Sequence, residues 1–401
     1  MDPTAALTLL PAPLGTQRKL TPEMIPVALR LSDGTPPVPR ITTARVTSLP
    51  TINVEAAYST LTQAKDEFAK VPEAKYTLAR NKANPFEFVG RSIFLNRSAI
   101  KLANTDAVYN MTQHLGAFAN KTTKGPFTFC DIAAGPGGFT QYIQWRRPDA
   151  VGYGMTLRET ELDWDRKNLD MTRFQAIYGT DNSGNLYTQW EFFVNTVRKT
   201  VVEGVDLVTG DGGFDVEETK DYSRQEFLSS RLLLTQILIG LATLRPTGSF
   251  VCKVFDTVTS ISADLLYVCA ACFEEVTIFK PVSSRPASTE RYIVASRRRP
   301  DPYVTPYIEL LKQANNSYQE NIHVTRLFAE EVPLPEEFIR WLTQSNNESL
   351  HRQMTATQNI LDTLKGKNPV IPKYDLFKCL LLWNLPDNPL PQRTPYKTLR
   401  A

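Results

Sequence analysis

Between Phe127 and Ser296 the chain alternates short apolar runs with longer segments whose apolar positions recur every three or four residues. FTFCDIA (127–133), AVGYGMTL (150–157), VDLVTGD (205–211) and GSFVCKVF (248–255) read as buried strands. FTQYIQW, WEFFVNTVRKTV, the long and largely apolar QEFLSSRLLLTQILIGLATL and SADLLYVCAACF read as the helices between them, and residues 160–200 are otherwise mixed. Strand–helix alternation of this kind predicts a mostly parallel sheet with helices on both faces, an α/β, Rossmann-like class. EEVTIFK and RYIVAS have no helix between them and read as an antiparallel pair at the sheet edge.

Outside this core the pattern changes. Residues 1–50 are rich in Pro, Thr and Ala and read as a flexible tail. VEAAYSTLTQAKDEFAKV, ended by Pro72, and RSAIKLANTDAVYNMTQHL have helical spacing. After Arg297-Arg298-Arg299-Pro300 the strands stop. PYIELLKQANNSY, EEFIRWLTQS, HRQMTATQNILDTL and DLFKCLLLW then predict a helical extension. The expected division is thus a tail at 1–50, an α/β domain at 51–300 and a helical extension at 301–401.

Composition adds little beyond exclusions. The 401 residues are 42% hydrophobic and 22% charged, typical of globular chains. No apolar run approaches the roughly 18 residues of a membrane span, and the proline-broken N-terminus does not read as a secretory signal. The five cysteines, an odd count, favour a reducing compartment. Cys269 and Cys272 form a C-x-x-C, but inside an apolar helical pattern and without a second pair or paired histidines, so no metal site is expected. A net charge of +3 neither demands nor forbids a nucleic-acid partner.

Candidate chemistry lies at the ends of the predicted strands. Asp131-Ile-Ala-Ala134-Gly135-Pro136-Gly137-Gly138 joins the first strand to a helix. Its glycines allow close backbone approach to a ligand, but the order is not G-x-G-x-x-G and no Lys-Ser/Thr ending makes it a P-loop. Asp211 ends a central strand and would face the crevice, although a turn aspartate before glycines is common. Lys253 stands among buried-strand residues, where an ammonium needs partners. Lys101 and Glu290, taken singly, are ordinary surface charges.

Taken together, Lys101, Asp211, Lys253 and Glu290 resemble the ordered Lys-Asp-Lys-Glu set of RrmJ/FtsJ-like ribose 2′-O-methyltransferases. The segments ARNKANPFEFVGRSIFLNRSAIKLAN, DIAAGPGGFTQYIQWRR, GYGMTL, GDGGFDVE, FVCKVFD and FKPVSSRPASTERYIV are similar to the eukaryotic cap-1 mRNA methyltransferases within that family. The likeness is dense over residues 78–300 and sparse in the tail, at WLTQSNNESLHRQ and KCLLLWNLPD. It implies an S-adenosyl-L-methionine site at Asn96, Ala134, Gly135, Pro136, Gly137, Gly138, Asn185, Leu186 and Asp211. It also implies contacts to a capped RNA (the 7-methylguanosine and first nucleotides) from Arg80, Asp221 and Glu290. Two departures matter. GYGMTLRE has no acid before Glu159 to hold the ribose hydroxyls, and Asn185 replaces an acid of some relatives, which predicts backbone contacts to the adenosine.

The implied reaction is methyl transfer to the ribose 2′-hydroxyl of the first transcribed nucleotide, in the nucleus. Lys253 would be the base. Burial and the Lys101 cation would lower its pKa, Asp211 would orient it, and Glu290 would hold Lys101 or the target ribose. Lys82, Arg91 and the Arg297–Arg299 run are further candidates for phosphate contact, the run reading equally well as a solvated linker. An internal rRNA or tRNA ribose methyltransferase shares the four residues, and a non-catalytic RNA-binding scaffold would share the fold.

Overall fold

The computed structural model describes residues 57–112, 125–213, 225–320, 324–328, 333–368 and 376–385. Asp221 and the 1–50 segment lie outside the described residues.

Two helices, α1 (Ala57–Ala69) and α2 (Glu73–Lys82), precede a 3-10 turn at Glu87–Val89 and helix α3 (Arg97–Tyr109). The sheet then begins: β1 (Thr128–Ile132), α4 (Gly138–Arg146), β2 (Val151–Met155), β3 (Phe174–Ala176), α5 (Leu186–Thr200), β4 (Val205–Gly210), α6 (Gln225–Thr243), β5 (Leu244–Val254), α7 (Ser260–Cys272), β6 (Phe273–Phe279) and β7 (Arg291–Arg298). Three more helices follow, α8 (Asp301–Gln319), α9 (Glu336–Leu364) and α10 (Leu376–Leu382).

The seven strands lie in the order β3-β2-β1-β4-β5-β7-β6. Five of them run parallel, from β3 across to β5. β7 is antiparallel both to β5 and to β6. The expected antiparallel pair is therefore present, but β7 slots inside and only β6 forms the edge. The short β3 was hidden in the mixed stretch at 160–200, and α2 was not expected at all. Ala79 is the only α2 residue buried, so its sequence carries almost no apolar stripe.

Side-chain alternation along the strands builds two cores. Cys130, Ile132, Val208, Phe250, Cys252 and Val254 join α5, α6, α7 and α8 on one face. Phe129, Leu207, Val251, Tyr292 and Val294 join α3, α4 and α10 on the other. The length of the α6 apolar pattern follows from its position, since it is covered by the sheet on one side and by α5, α7 and α8 on the others. Cys269 and Cys272 are core residues of α7.

The C-terminal helices share these cores. Val304, Tyr307, Leu311, Phe338 and Leu342 belong to the same cluster as the sheet, and Ile360 of α9 packs with Phe68 and Ala79 of α1 and α2. Among the described residues no helix is long and apolar enough to cross a membrane.

Candidate active site

The crossovers leave the C-terminal ends of β1, β2, β4 and β5 at one rim of the sheet, where ligands bind in open α/β folds. At the end of β1 the buried Asp131 carboxylate accepts the Thr140 backbone N–H at 3.0 Å and the hydroxyls of Thr140 at 2.7 Å and Thr209 at 2.6 Å. These bonds pin the first turn of α4 to β1 and β4. Burial drives the Asp131 carboxyl up to about 7 against those hydrogen bonds.

The loop above Asp131 needs glycine for packing reasons. A Cβ on Gly135 would run into the Leu162 carbonyl, and one on Gly138 into the Asn96 carboxamide. Gly137 sits at φ +107° as the N-cap of α4, in a region open to glycine. Gly212, just past β4, lies so close that a Cβ would come within 2.7 Å of Ala133. Asn96 caps α3, accepting the Ser98 N–H at 3.0 Å, and that cap brings its carboxamide beside the loop. Further along the rim, Gly184 abuts the Thr156 carbonyl at the end of β2. Asn185 caps α5 by accepting the Tyr187 N–H at 3.0 Å, and Leu186 turns into the core. Two leucines between these loops are exposed, Leu157 by 44% and Leu162 by 46%.

The four charged candidates converge on the α3 side of the rim. Lys253 shares a strand face with Val251, the face covered by α3, and its register partner on β7 is Tyr292. Glu290 precedes Tyr292 by two residues. From α3, Lys101 Nζ donates to Glu290 Oε2 at 2.8 Å, and Lys253 Nζ lies 3.1 Å from Asp211 Oδ1. All four side chains are mostly buried, with exposures of 11–17%. The Tyr292 hydroxyl donates to Asp211 Oδ1 at 2.8 Å, and the Ser284 hydroxyl to Glu290 Oε1 at 2.8 Å. Lys280 donates to the Ser288 and Glu290 carbonyls at 2.7 and 2.9 Å and so holds the loop that carries Glu290.

The electrostatics differ from the expectation at one point. Burial pulls the Lys253 ammonium down, but Asp211 and Glu290 push harder, and the net shift is upward. The expected depression by Lys101 is absent, because Lys101 is paired with Glu290. Burial would raise the Glu290 carboxyl, yet Lys101, Lys253 and Lys280 together hold it down at about 2. The lysines pulled down are Lys65, where burial outweighs the nearby Asp256, and Lys280. Burial, opposed by Glu290 and helped by Arg291, Lys65 and Lys101, brings Lys280 to about 7.

A cleft of about 400 Å³ opens over Lys101, Lys253 and Glu290. Its other walls come from α1 and α2, with Lys65, Phe68, Tyr76 and Arg80, and from Arg97 and the 283–290 loop. Six lysines and arginines line it against one glutamate, so its field is positive. Arg97 is held by Glu87 at 2.6 Å, and Arg80 lies over the Tyr76 ring at 5.4 Å.

The expected basic residues divide. Arg80 lines the cleft, whereas Lys82 and Arg91 are exposed residues outside its lining. The Arg297–Arg299 run is at the wrong end. β7 runs antiparallel, so at about 3.3 Å per residue Arg298 lies roughly 20 Å beyond the rim. Arg297 pairs there with Glu274 and Glu275, and the buried Arg298 donates to the Leu241 carbonyl. Sequence reasoning missed Tyr292, Ser284, Lys280, Lys65, Arg97 and Arg285. Lys280 alone carried a signal, a lysine closing a buried strand run as Lys253 nearly does.

The profile of the family described as FtsJ-like methyltransferase matches residues 94–298, which contain the rim loops and all four charged residues. The chain belongs to the FtsJ-like methyltransferase family. Among its relatives, the Drosophila melanogaster protein named cap-specific mRNA (nucleoside-2'-O-)-methyltransferase 1 is 35% identical over 346 residues, covering 81% of this chain and 43% of the relative. The Homo sapiens protein of the same name is 33% identical over 353 residues, covering 81% and 41%. A Caenorhabditis briggsae protein named inactive cap-specific mRNA (nucleoside-2'-O-)-methyltransferase 1B is 30% identical over 367 residues, covering 82% and 43%. The chain spans about two fifths of the length of these relatives.

Proposed function

We propose that this FtsJ-like chain transfers a methyl group from S-adenosyl-L-methionine to the ribose 2′-hydroxyl of the first transcribed nucleotide of a capped mRNA. The observation that carries the proposal is the meeting of Lys101–Glu290 and Lys253–Asp211 on the floor of a basic cleft, beside a glycine loop at the strand ends. Identity to relatives is weaker support, because one relative of comparable identity is named inactive. A nuclear site of action belongs to the same proposal, since capping accompanies transcription.

The rim fits the methyl donor. The N-terminus of α4 with the adjacent Asn96 carboxamide suits the carboxylate of a methionine. The exposed Leu157 and Leu162 form an apolar seat for a purine. Asn185 has its side-chain oxygen committed to the α5 cap, which leaves its backbone for the purine edge. Asp211 supplies negative charge at the end of β4. When bound, the cofactor supplies an electrophilic methyl on a sulfonium.

The chain's own residues then have to position and deprotonate a hydroxyl. Lys253, as the free amine, draws the proton from the 2′-oxygen. Asp211, itself fixed by Tyr292, holds Lys253 in place between turnovers. Lys101, clamped by Glu290, places a cation beside the developing alkoxide. The arginines of the cleft bind phosphates, and Phe68 and Tyr76, with ring centroids 5.0 Å apart, form the aromatic wall for the cap base.

The test is transfer of labelled methyl to a short RNA with a 7-methylguanosine cap, beside the same RNA uncapped and a Lys253→Arg protein. Label on the first ribose that requires the cap is the expected result, with Lys253→Arg silent because guanidinium stays protonated. Equal labelling of both RNAs would redirect the function to internal ribose sites, and no labelling would leave a binding scaffold.

A further inference from the structure

Both pairs of charged residues are tied from behind by one helix that lies outside the family-matched segment. Arg291, next to Glu290, is buried, and its Nη2 donates to the carbonyls of Phe255 and Asp256 and to the Thr257 hydroxyl at 2.8 Å. Those residues follow Lys253 at the end of β5. One guanidinium therefore joins the end of the Lys253 strand to the start of the Glu290 strand. Asn346 of α9 closes this tie. Its Oδ1 accepts Arg291 Nη2 at 3.0 Å and the Thr257 hydroxyl at 2.7 Å, and its Nδ2 donates to the Thr257 carbonyl at 2.9 Å. Thr257 sits at φ +59°, a backbone region that a non-glycine residue holds only when its surroundings enforce it.

Two turns along α9, Gln353 makes the corresponding tie to the cleft. It accepts Lys65 Nζ at 2.6 Å and donates to Asp256 Oδ1 at 3.4 Å. Asn346 and Gln353 are both almost fully buried, at 4% and 2% exposure. Buried carboxamides with their hydrogen bonds made define geometry more sharply than apolar contacts do.

We propose that Asn346 and Gln353 are positioning residues for the methyl transfer, Asn346 setting the Lys253–Glu290 spacing and Gln353 setting Lys65 in the wall of the RNA cleft. The inference rests on the function proposed above and assigns α9 a part in catalysis. It separates two effects. Loss of the Asn346 carboxamide acts on the chemical step, and loss of the Gln353 carboxamide acts on RNA binding.

The experiment compares the full chain with Asn346→Ala, Asn346→Asp, Gln353→Ala and Gln353→Leu. Asn346→Asp keeps both accepted bonds and loses the donated one. For Asn346→Ala we expect kcat on capped RNA to fall about tenfold or more with KM within about twofold, as for loss of a transition-state interaction. Asn346→Asp should fall between the two. The alkaline limb of the pH–rate profile should move to lower pH in Asn346→Ala, because Glu290 no longer holds up the Lys253 ammonium. For Gln353→Ala and Gln353→Leu we expect KM to rise severalfold with kcat kept. All variants should bind S-adenosylmethionine alone with wild-type affinity. Hydrogen exchange needs no substrate and reads the tie itself, and amides at 255–258 and 290–292 should exchange faster in Asn346→Ala. Unchanged exchange there overturns the proposal even for an inactive parent protein. With an active parent, so does a fall in kcat that leaves the pH limb in place. Failure of the parent protein to label capped RNA counts against the function, not the tie.

Discussion

At the scale of single residues, the charge on Lys253 decides how the site must work. The proposed reaction needs an amine base, yet two carboxylates hold the ammonium above its ordinary range. The active fraction therefore grows as pH rises toward the Lys253 pKa, and activity should climb on the alkaline side. Asp211→Asn removes one of the two anions, so the pKa falls and the limb of log kcat against pH should move to lower pH, whatever happens to its height. A limb that stays in place or moves up would rule out Lys253 as the titrating base. The four charged residues were legible in the sequence because their order matches a family pattern. Tyr292 and Ser284 were not legible, because a hydroxyl that steadies a neighbour leaves no local mark, and Lys280 showed only as a lysine closing a buried strand run. Their roles follow from β7 lying beside β5 and from the loop closing back over it.

At the scale of elements, the strand and helix pattern was readable wherever an element buries one whole face. β1, β4, β5, α6 and α7 are of this kind. The misses are the elements without such a face. β3 has three residues, one of them buried, and α2 buries Ala79 alone. The glycine loop is likewise an element-scale device, since its residues are shaped by what packs against them. Gly135→Ala should force the loop away from the Leu162 carbonyl. We expect a lower melting temperature and at least a tenfold weaker S-adenosylmethionine affinity by calorimetry. Unchanged affinity would mean that the cofactor does not sit on this loop. The Arg297–Arg299 run shows the opposite failure, a local charge signal whose meaning is reversed by strand direction. It ends up pairing with acids of the edge strand and a helix carbonyl, far from the cleft.

At the scale of the whole molecule, the helical extension is continuous with the α/β core. Phe338 is fully buried against Tyr267 of α7, with ring centroids 5.3 Å apart, and belongs to the same cluster as the sheet. Phe338→Ala should destabilise the entire fold by about 3–5 kcal/mol in a single cooperative denaturant transition. A separate early transition with the core left intact would show the extension to be an independent unit. The sequence by itself determined the fold class and the rim loops, because hydrophobic periodicity and short motifs are local properties of the chain, and it pointed to the four charged residues only through the resemblance of their order to a family pattern. Only the tertiary structure decided which charges pair, that Lys253 is held up and not down, that the basic run is structural, and that α9 ties the ends of β5 and β7 together. Those outcomes depend on contacts between residues far apart in the chain, and on the low-dielectric surroundings that only the packed molecule provides.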